Sequence, residues 1–504
     1  MNDGKICVSV CAEHAGEFVK NIERGEEFGD VVELRFDFLA ESELENALEK
    51  TCNLKTEKNL LLTFRPKQQG GMRDLSRLER EIFWSSGYDF CTNWADVEID
   101  LVETVSRWLF EKIICSHHDF NSSPENLIEI YENLKATNAD VLKIAVKADD
   151  INDTIDVWKL LEKAKSENRQ IIPIAMGEAG KWTRILGLAH GAFMTYASLD
   201  AGSETAPGQI SAKDLIEVYR VRELNENTEI YGIIGGNTGY SVSPFMHNAA
   251  FKSEKRNAVF MPLQVKNLDE FMRRMVKAET REIELNFKGF SVTIPHKQAI
   301  IKHLDFIDET AEKIGAVNTV KIEDGKLYGY NTDAQGFIEP LKTAYGDLQN
   351  AKIAVLGAGG AARACVYALK KESAEVTIFA RNIEKAKSLA NEFEVELKEF
   401  PDANQTSQIG NFDVVINTTP LGTKGALENE TALLAGQLGD VKLIYDLVYN
   451  PFQTRLMSEA DKANVPKIGG MAMLVAQGAK QFEIWTGKAA PIKEMSAEVL
   501  KRLK

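Results

Sequence analysis

Short apolar runs alternate with longer stretches of helical periodicity along the first 220 residues of the chain. The runs are rich in Val, Ile, Leu, Phe and Tyr and have the length of β-strands. Eight β/α units that close on themselves form a barrel with its active site at the carboxyl ends of the strands. We therefore predict a (β/α)8 barrel, with a doubly wound open sheet as the alternative. The eight runs are KICVSVCA from Lys5, VVELRFDF from Val31, NLLLTFRP from Asn59, ADVEIDL from Ala95, KIICSHHDF from Lys112, VLKIAVKA from Val141, QIIPIAMG from Gln170 and GAFMTYASL from Gly191.

After a polar stretch from Val221, which we interpret as a linker, two further strand–glycine-turn–helix patterns follow. The first is YGIIGGNTGYSVSPFMHNAAF, and the second is IAVLGAGGAARACVYAL from Ile353. The second has the spacing G-x-G-x-x-A between a strand and a helix, which is typical of a dinucleotide-binding turn. The second half is therefore predicted to contain a Rossmann domain.

Composition limits the function classes. A chain of 504 residues is long enough for two or three domains, and its net charge of −15 argues against nucleic acid as a partner. No apolar run approaches a membrane span, and the first residues are strand-like rather than a signal peptide. Six cysteines show neither a C-x-x-C pair nor metal-ligand spacing. We expect reduced thiols, no metal, a cytoplasmic enzyme, small-molecule partners, and a monomer or small homo-oligomer.

Charged side chains occur within or at the ends of the predicted barrel strands. Lys143 lies inside VLKIAV, and burial without a full counter-charge favours the neutral amine that imine-forming lysines require. Pairing with a carboxylate is the alternative. His118 ends the preceding strand and could act as a base beside the amine, whereas His117 points the other way by strand parity. The remaining charged positions are Glu33, Arg35, Arg65 and Glu98.

A set of motifs in the right order makes residues 3–222 resemble type I 3-dehydroquinate dehydratase. They are SHHDF, LKIAV with Lys143, WTRILG with Arg184 and TAPGQ from Thr205. The resemblance implies that Lys143 forms an imine with the substrate ketone. His118 would remove the α-proton and later protonate the departing hydroxyl. By the same resemblance the substrate is held by Ser9, Glu33, Arg35, Arg65, Arg184, Thr205 and Gln209.

Two positions depart from that family. Gln69 stands where a glutamate would face the histidine, so it can only orient the ring, and the rate or pH optimum is expected to differ. Thr205 stands where serine is usual, which keeps the hydroxyl.

The ordered set SxSP, VTxPxK, AVNT, NTDxxG, GAGGAxR and MLVAQGA makes residues 229–504 resemble shikimate dehydrogenase. Lys297 and Asp333 would be the catalytic pair, with the lysine as proton donor and the carboxylate fixing its position. Separately, Ser243 before Pro244 is an ordinary helix cap, and Asp333 is a natural cap too. Ser291 replaces a usual asparagine, so its contact must be shorter or water-mediated. The implied substrate residues are Ser241, Ser243, Ser291, Thr293, Asn318, Tyr449 and Gln477.

The cofactor is expected to be NADP. Arg381 ends the strand AEVTIFARN, where an NAD site would carry Asp or Glu, and an arginine favours the 2′-phosphate. A surface arginine without this role is the alternative. The family's NRT is here ARN (Ala380, Arg381, Asn382), so a contact of the family's asparagine with the adenosine is expected to be lost. The implied cofactor residues are Gly357, Ala358, Gly359, Gly360, Ala361, Arg381, Asn382, Thr418 and Gly470, with Ala362 as the third small position of the turn.

Together the two halves resemble chains that dehydrate 3-dehydroquinate and then reduce the product to shikimate. The predicted domains are a barrel over residues 1–222, a substrate domain over 229–335 that is completed by about 457–504, and a Rossmann domain over 336–456. A dehydrogenase that prefers quinate and a non-catalytic metabolite sensor are the alternatives. A sensor should have lost at least one of the four catalytic residues, and all four are present.

Overall fold

The computed structural model of the chain describes residues 2–85, 91–400, 409 and 411–504. Its contacts divide the chain into two compact units. The first contains Met1–Tyr240 with Asn257–Phe287, and the second contains Ser241–Arg256 with Lys288–Lys504. The domain limits expected from the sequence stay a prediction.

The first unit contains the predicted barrel. Its strands are hydrogen-bonded in the order β7-β6-β5-β4-β3-β2-β1-β8, and every neighbouring pair is parallel. The Phe193 N–H, just before β8, donates to the Ile171 carbonyl of β7 at 2.9 Å, which links the two ends of the sheet. The open-sheet alternative is wrong. The strands are β1 Lys5–Val10, β2 Val31–Arg35, β3 Asn59–Thr63, β4 Trp94–Glu98, β5 Lys112–Asp119, β6 Val141–Lys147, β7 Ile171–Met176 and β8 Met194–Ser198.

Helices follow most barrel strands, as their apolar periodicity predicts. The connection from β4 to β5 is an exception, since it contains only a 3-10 turn at Arg107–Leu109. A short strand, β9 (Ile210–Ser211), pairs with β8. The helices are α1 Ala15–Glu26, α2 Leu44–Cys52, α3 Arg77–Ser85, α4 Leu127–Lys135, α5 Ile155–Ser166, α6 Lys181–Leu186 and α7 Ala212–Glu217.

Cys52 and Cys91 form a disulfide with their Cα atoms 5.1 Å apart. The expectation of six reduced thiols is therefore wrong for this pair. The two residues are 39 positions apart, and only the fold brings the end of α2 close to the segment before β4. Cys7, Cys11, Cys115 and Cys365 are free.

The predicted linker is packed rather than loose. Val221 and Leu224 are buried, and the side-chain amide of Asn2 donates to both of their carbonyls, at 2.8 and 3.0 Å. Two parallel strands follow in the first unit, β10 (Glu229–Gly235) and β11 (Ala258–Gln264).

The second unit begins with α8 (Ser243–Ser253) and continues with a small mixed sheet. In that sheet β12 pairs antiparallel with β14, β14 antiparallel with β15, and β15 parallel with β13. Its strands are β12 Phe287–Val292, β13 Phe306–Ile307, β14 Thr319–Glu323 and β15 Lys326–Tyr330. The helices up to this point, including the short α9 of the first unit, are α9 Leu268–Phe271, α10 His296–Ala299, α11 Glu309–Ile314 and α12 Asp333–Tyr345.

The Rossmann domain has six parallel strands in the order β18-β17-β16-β19-β20-β21. This order places a topological switch point between β16 and β19, where ligands of such sheets bind. Its elements are β16 Lys352–Leu356, α13 Gly360–Lys371, β17 Glu375–Ala380, α14 Ile383–Glu392, β18 Glu396–Glu399, β19 Val414–Asn417, β20 Leu443–Asp446, α15 Arg455–Lys462 and β21 Lys467–Gly469.

Two further helices follow, α16 (Met471–Thr486) and α17 (Ile492–Leu503). A side chain at Gly336 of α12 would lie 2.6 Å from Gln477 of α16, so the glycine allows these two helices to approach closely. In the part of the chain that the structure covers, no helix combines the length and apolarity needed to cross a bilayer.

Candidate active sites

A cavity opens at the carboxyl ends of the barrel strands. It contains about 400 Å³ of space between atoms, its open mouth included. Most of the side chains that the sequence singled out in this half line it. The polar lining residues are Glu33, Arg35, Arg65, Gln69, His118, Lys143, Arg184, Tyr196, Thr205 and Gln209.

Lys143 lies at the centre of this cavity and is paired. Its Nζ donates to Asp96 Oδ2 at 2.7 Å and lies 3.9 Å from Glu33 Oε1. The ring of Tyr196 lies below the ammonium, with the centroid 3.9 Å from Nζ. The expectation that Lys143 lacks a full counter-charge is therefore wrong.

Asp96 was missed by the sequence reasoning, although a signal was present. It lies two residues before Glu98 on β4, so both side chains share one face of the strand. Arg65 connects them, at 2.7 Å to Asp96 and 2.8 Å to Glu98. Burial alone would raise the pKa of the Asp96 carboxyl, but Arg65 and Lys143 outweigh it and hold this pKa well below its ordinary value.

His118 lies in the cavity wall, as strand parity predicts, and its Nδ1 is buried without a hydrogen-bond partner among the described residues. Burial, together with the charges of Arg65 and Lys143, lowers the pKa of His118 well below 6.5. The ring is therefore neutral at pH 7 and able to accept a proton. Gln69 does not orient the ring as expected, because its Oε1 accepts the backbone N–H of His118 at 3.3 Å.

The wall of the cavity that carries Arg184 is rich in hydrogen-bond donors. This guanidinium is buried, and within the described chain its Nε and one terminal nitrogen have no partner. Its other terminal nitrogen makes only a long contact of 3.4 Å with the Pro207 carbonyl. Burial lowers the pKa of Arg184 to about 10, so the group is still a cation at neutral pH. Such a wall is suited to bind an anion.

Other predicted substrate residues of the barrel bond to each other. Ser9 is not in the cavity lining, and its hydroxyl donates to Glu33 Oε2 at 2.6 Å, so it supports Glu33 from behind. Thr205 and Gln209 share two side-chain contacts of 3.2 and 3.3 Å. Arg35 donates twice to Asp37, at 2.8 Å each.

In the second unit, Lys297 and Asp333 form an ion pair of 2.6 Å. The other carboxylate oxygen of Asp333 accepts the side-chain amide of Asn318 at 2.7 Å. Asp333 begins α12 but does not cap it, because Asn331 Oδ1 accepts the Asp333 N–H at 3.0 Å. Its carboxylate is therefore directed to the lysine, and the simple capping role is wrong.

The two serines at the start of α8 make contacts that differ from the expected cap by Ser243. The helix begins at Ser243 with no side-chain cap from the preceding residue, and the hydroxyl of Ser241 accepts the Ser243 N–H at 3.2 Å. The capping contact therefore belongs to Ser241, two residues earlier than predicted. Both residues still lie at the same helix end.

Ser291 is held by a residue that sequence reasoning missed. Its hydroxyl donates to Gln481 Oε1 at 2.7 Å. The amide of Gln481 donates to the Asn318 carbonyl at 3.2 Å and to Thr319 at 3.0 Å, and its oxygen lies 3.3 Å from His247 Nε2. Gln481 therefore ties α16 to the strands that carry the site. Its only sequence signal is its position one helical turn after Gln477.

The remaining predicted substrate residues of this half make contacts other than with the Lys297–Asp333 pair. The Thr293 carbonyl accepts the His296 N–H at 2.9 Å, which shapes the turn before Lys297. Gln477 packs against Gly336 of α12 and donates to the Leu474 carbonyl at 2.8 Å. Tyr449 follows β20, and burial raises the pKa of its phenol.

The glycine turn of the Rossmann domain fits a dinucleotide. Gly357 has φ of 108°, which only glycine adopts readily, and a side chain there would meet the Thr418 hydroxyl at 2.6 Å. Around Gly359 and Gly360, at the start of α13, a side chain would meet nothing within 4 Å. The free N–H groups of this helix end can therefore receive a pyrophosphate.

The other predicted cofactor residues have varied positions. Arg381 directly follows β17 and is exposed, so its guanidinium is accessible from solvent. Asn382 Oδ1 caps α14 by accepting the Lys385 N–H at 3.0 Å. Thr418 donates to the Leu356 carbonyl at 2.8 Å, and Gly470 packs against the Leu447 carbonyl. Ala358 and Ala361 flank the open glycines and are half-buried.

Over the described residues, no cluster of three or more His, Cys, Asp or Glu side chains could hold a metal ion.

Four known families match successive parts of the chain. The type I 3-dehydroquinase family matches residues 6–226. The shikimate dehydrogenase substrate-binding domain matches residues 233–320, shikimate/quinate 5-dehydrogenase matches 339–435, and the shikimate 5′-dehydrogenase C-terminal domain matches 470–500.

Individual proteins are similar over one half or both. The chloroplastic bifunctional 3-dehydroquinate dehydratase/shikimate dehydrogenase of Arabidopsis thaliana is 34% identical and covers 99% of this chain and 85% of its own length. The NADP+ shikimate dehydrogenase of Methanococcus maripaludis is 41% identical over 56% of this chain and all of its own. A solved structure of a shikimate dehydrogenase in complex with NADP+ is 38% identical, with a TM-score of 0.51, over 56% of this chain and 98% of its own.

Proposed function

The chain belongs to the family of bifunctional 3-dehydroquinate dehydratase/shikimate dehydrogenases, and on this premise we propose how its own residues perform the two reactions. It dehydrates 3-dehydroquinate to 3-dehydroshikimate and reduces that product to shikimate with NADPH. The observation that supports this best is the presence of two complete sets of catalytic groups, one around Lys143 and one around Lys297, in separate units.

The dehydration begins at Lys143. Its neutral amine adds to the substrate ketone, and loss of water from the resulting carbinolamine leaves a protonated imine. His118 takes the proton from the carbon beside the imine, and the electron pair moves into an enamine. The enamine expels the β-hydroxyl, which leaves as water with the proton from His118. Hydrolysis of the imine then releases the product and restores the amine.

The charged wall groups orient the substrate in this scheme. Arg184 has donors without partners and would bind the substrate carboxylate as a salt bridge. Glu33 is supported by Ser9 and by Thr63, whose hydroxyl donates to it at 3.0 Å. With these donors in place, Glu33 presents a fixed carboxylate to the substrate hydroxyls. The other proposed contacts are Arg35, Arg65, Thr205 and Gln209.

In the second reaction Lys297 donates a proton to the ketone oxygen as it becomes a hydroxyl. Asp333 holds the ammonium in place, and Asn318 holds Asp333. NADPH supplies the hydride when it is bound. The turn at residues 357–361 would hold its pyrophosphate, and Arg381 would hold its 2′-phosphate.

Incubation of the protein with 3-dehydroquinate, with and without NADPH or NADH, tests this function. We expect 3-dehydroshikimate without cofactor and shikimate only with cofactor, NADPH being preferred. Formation of neither product would contradict the proposal. Quinate offered with NADP+ tests the alternative dehydrogenase substrate in the same assay.

The cofactor assignment has its own test. Because Arg381 contributes a positive charge that only the 2′-phosphate uses, Arg381→Ala should raise the KM for NADPH by about tenfold or more and leave that for NADH nearly unchanged. Lys385→Ala, on the neighbouring helix, is a control for a general loss of positive charge. Equal effects of Arg381→Ala on both cofactors would contradict the role.

The compartment and the oligomeric state stay predictions. The Arabidopsis relative is named as chloroplastic, and the Cys52–Cys91 disulfide departs from the reduced thiols on which the cytoplasmic assignment was based.

A further inference from the structure

Tyr196 is a residue of the barrel cavity that the scheme above leaves unused. It lies on β8 among the inward-facing residues and is 3% exposed. Its ring faces the ammonium of Lys143, with 3.9 Å between the centroid and Nζ. Its hydroxyl is buried and has no hydrogen-bond partner in the described part of the chain.

A buried hydroxyl without an acceptor destabilises a folded protein, so native structures rarely keep one without a reason. Burial also raises the pKa of the Tyr196 phenol well above 10, so at neutral pH the group is an O–H donor. Tyr196 and Arg184 both line this cavity. The unpaired donors of this wall are therefore the Tyr196 O–H and two nitrogens of Arg184.

The carboxylates of the cavity do not satisfy these donors. Asp96 pairs with Lys143 and Arg65, and Glu33 accepts from Ser9 and Thr63. A group of three donors that lacks an acceptor within its own protein is complementary to an anion brought by a ligand.

We propose that Tyr196 contacts the substrate of the dehydratase site, where its O–H donates to the carboxylate that Arg184 also binds, and its ring stabilises the cationic nitrogen on Lys143. This rests on the function proposed above. The ring and the hydroxyl of Tyr196 would then each contact a charged group. The ring face attracts the ammonium and, after attack on the ketone, the protonated imine, while the O–H gains its missing acceptor when the substrate enters.

Tyr196→Phe removes only the oxygen and is the first test. We expect the KM for 3-dehydroquinate to rise about tenfold, as for loss of a hydrogen bond to a charged group. The Kd by calorimetry, measured in a His118→Ala background where turnover is slow, should rise by the same factor. Borohydride should still trap substrate on Lys143, because the ring remains. The melting temperature of the free protein should not fall, because the variant loses no hydrogen bond.

Tyr131→Phe is the matched control. Tyr131 is also buried, but it lies on α4 and its O–H donates to Glu167 at 2.7 Å. Its variant should melt at a lower temperature and bind 3-dehydroquinate as the unchanged protein does. Tyr196→Leu removes the ring as well and should trap less substrate than Tyr196→Phe at equal saturation.

Unchanged Kd and KM in Tyr196→Phe would overturn the proposal, and so would a fall in melting temperature as large as that of Tyr131→Phe. In a double-mutant cycle with Arg184→Lys, the two losses should be non-additive, and additive losses would overturn the shared carboxylate. If the unchanged protein binds 3-dehydroquinate without dehydrating it, the proposed function fails while calorimetry still decides the role of Tyr196. If it does not bind, both fail.

Discussion

At the scale of single residues, Lys143 is surrounded by charges of both signs. Asp96 and Glu33 attract its ammonium, whereas Arg65 pairs with Asp96 from another side. The lysine therefore sits in a network that fixes its position before substrate arrives. The nitrogen must lose a proton before it can attack the ketone, and the neutral His118 stays available to take the α-proton afterwards.

The pH dependence of dehydration should report His118. Because burial lowers the pKa of this histidine below 6.5, the ring gains a proton only at a pH well below its ordinary midpoint. Activity is then lost as the pH falls through that lower value. We expect the acidic limb of kcat/KM for 3-dehydroquinate to lie below pH 6.5, and His118→Ala to remove most activity while imine still forms.

A limb at or above pH 6.5 would show that the environment of His118 does not disfavour its charge. Lys213→Ala, on α7, is a suitable surface control whose profile should match that of the unchanged protein.

Single positions of the cavity could be predicted where the signal is local. Lys143 and His118 stand out because an ionisable side chain on a core strand is unusual, whereas Arg184, on α6, was found through the family resemblance. The partners of these residues could not be found in this way, since Asp96 is 47 positions from Lys143 and the pairing depends on which strands become neighbours. The role of Gln69 was missed for another reason. Its side chain bonds to the backbone N–H of His118 and not to the ring, and the sequence does not distinguish these two partners.

At the scale of elements, the turn between β16 and α13 depends on two kinds of glycine. Gly357 is required by its conformation and by its contact with Thr418, whereas Gly360 has open space around it. The first is a requirement of the fold and the second leaves room for a ligand.

Replacing each by alanine should separate these roles. Gly357→Ala forces a side chain into a left-handed conformation and against a hydroxyl, which should lower the free energy of unfolding by about 1–3 kcal/mol. Gly360→Ala should leave it unchanged or slightly higher, because alanine favours a helix. Urea denaturation of both variants without cofactor measures this, and equal losses would contradict the distinction.

Most strands and helices follow from the sequence because apolar periodicity is a local property. The eight barrel strands were found from this periodicity, and the β16–α13 turn was found from its glycine spacing. Helix caps were predicted less accurately. At the start of α8 the capping hydroxyl belongs to Ser241 and not to Ser243, because a hydroxyl two residues earlier also reaches an N–H of the helix end. The Cys52–Cys91 pair has no local signal.

At the scale of the whole molecule, the residues proposed for each reaction lie in different units and none is shared. The two activities should therefore be separable. Lys297→Met should remove most shikimate oxidation and leave dehydration intact, and Lys143→Ala should do the opposite when 3-dehydroshikimate is supplied.

Lys321→Met is a control for the first variant, since Lys321 pairs with Glu323 on the strand surface at 2.8 Å. Both activities should survive in it. A loss of dehydration in Lys297→Met, with the circular dichroism spectrum unchanged, would mean that the two sites are coupled.

The positions of the two sites along the chain have a consequence for its synthesis on the ribosome. Every side chain assigned to the dehydratase cavity precedes residue 210, whereas Ser291 of the dehydrogenase site depends on Gln481, 190 positions later. A nascent chain therefore contains all the groups of the first catalyst long before the second can assemble. Translation that stops between these points would yield a polypeptide with every side chain of the dehydratase cavity but without the Gln481 that holds Ser291.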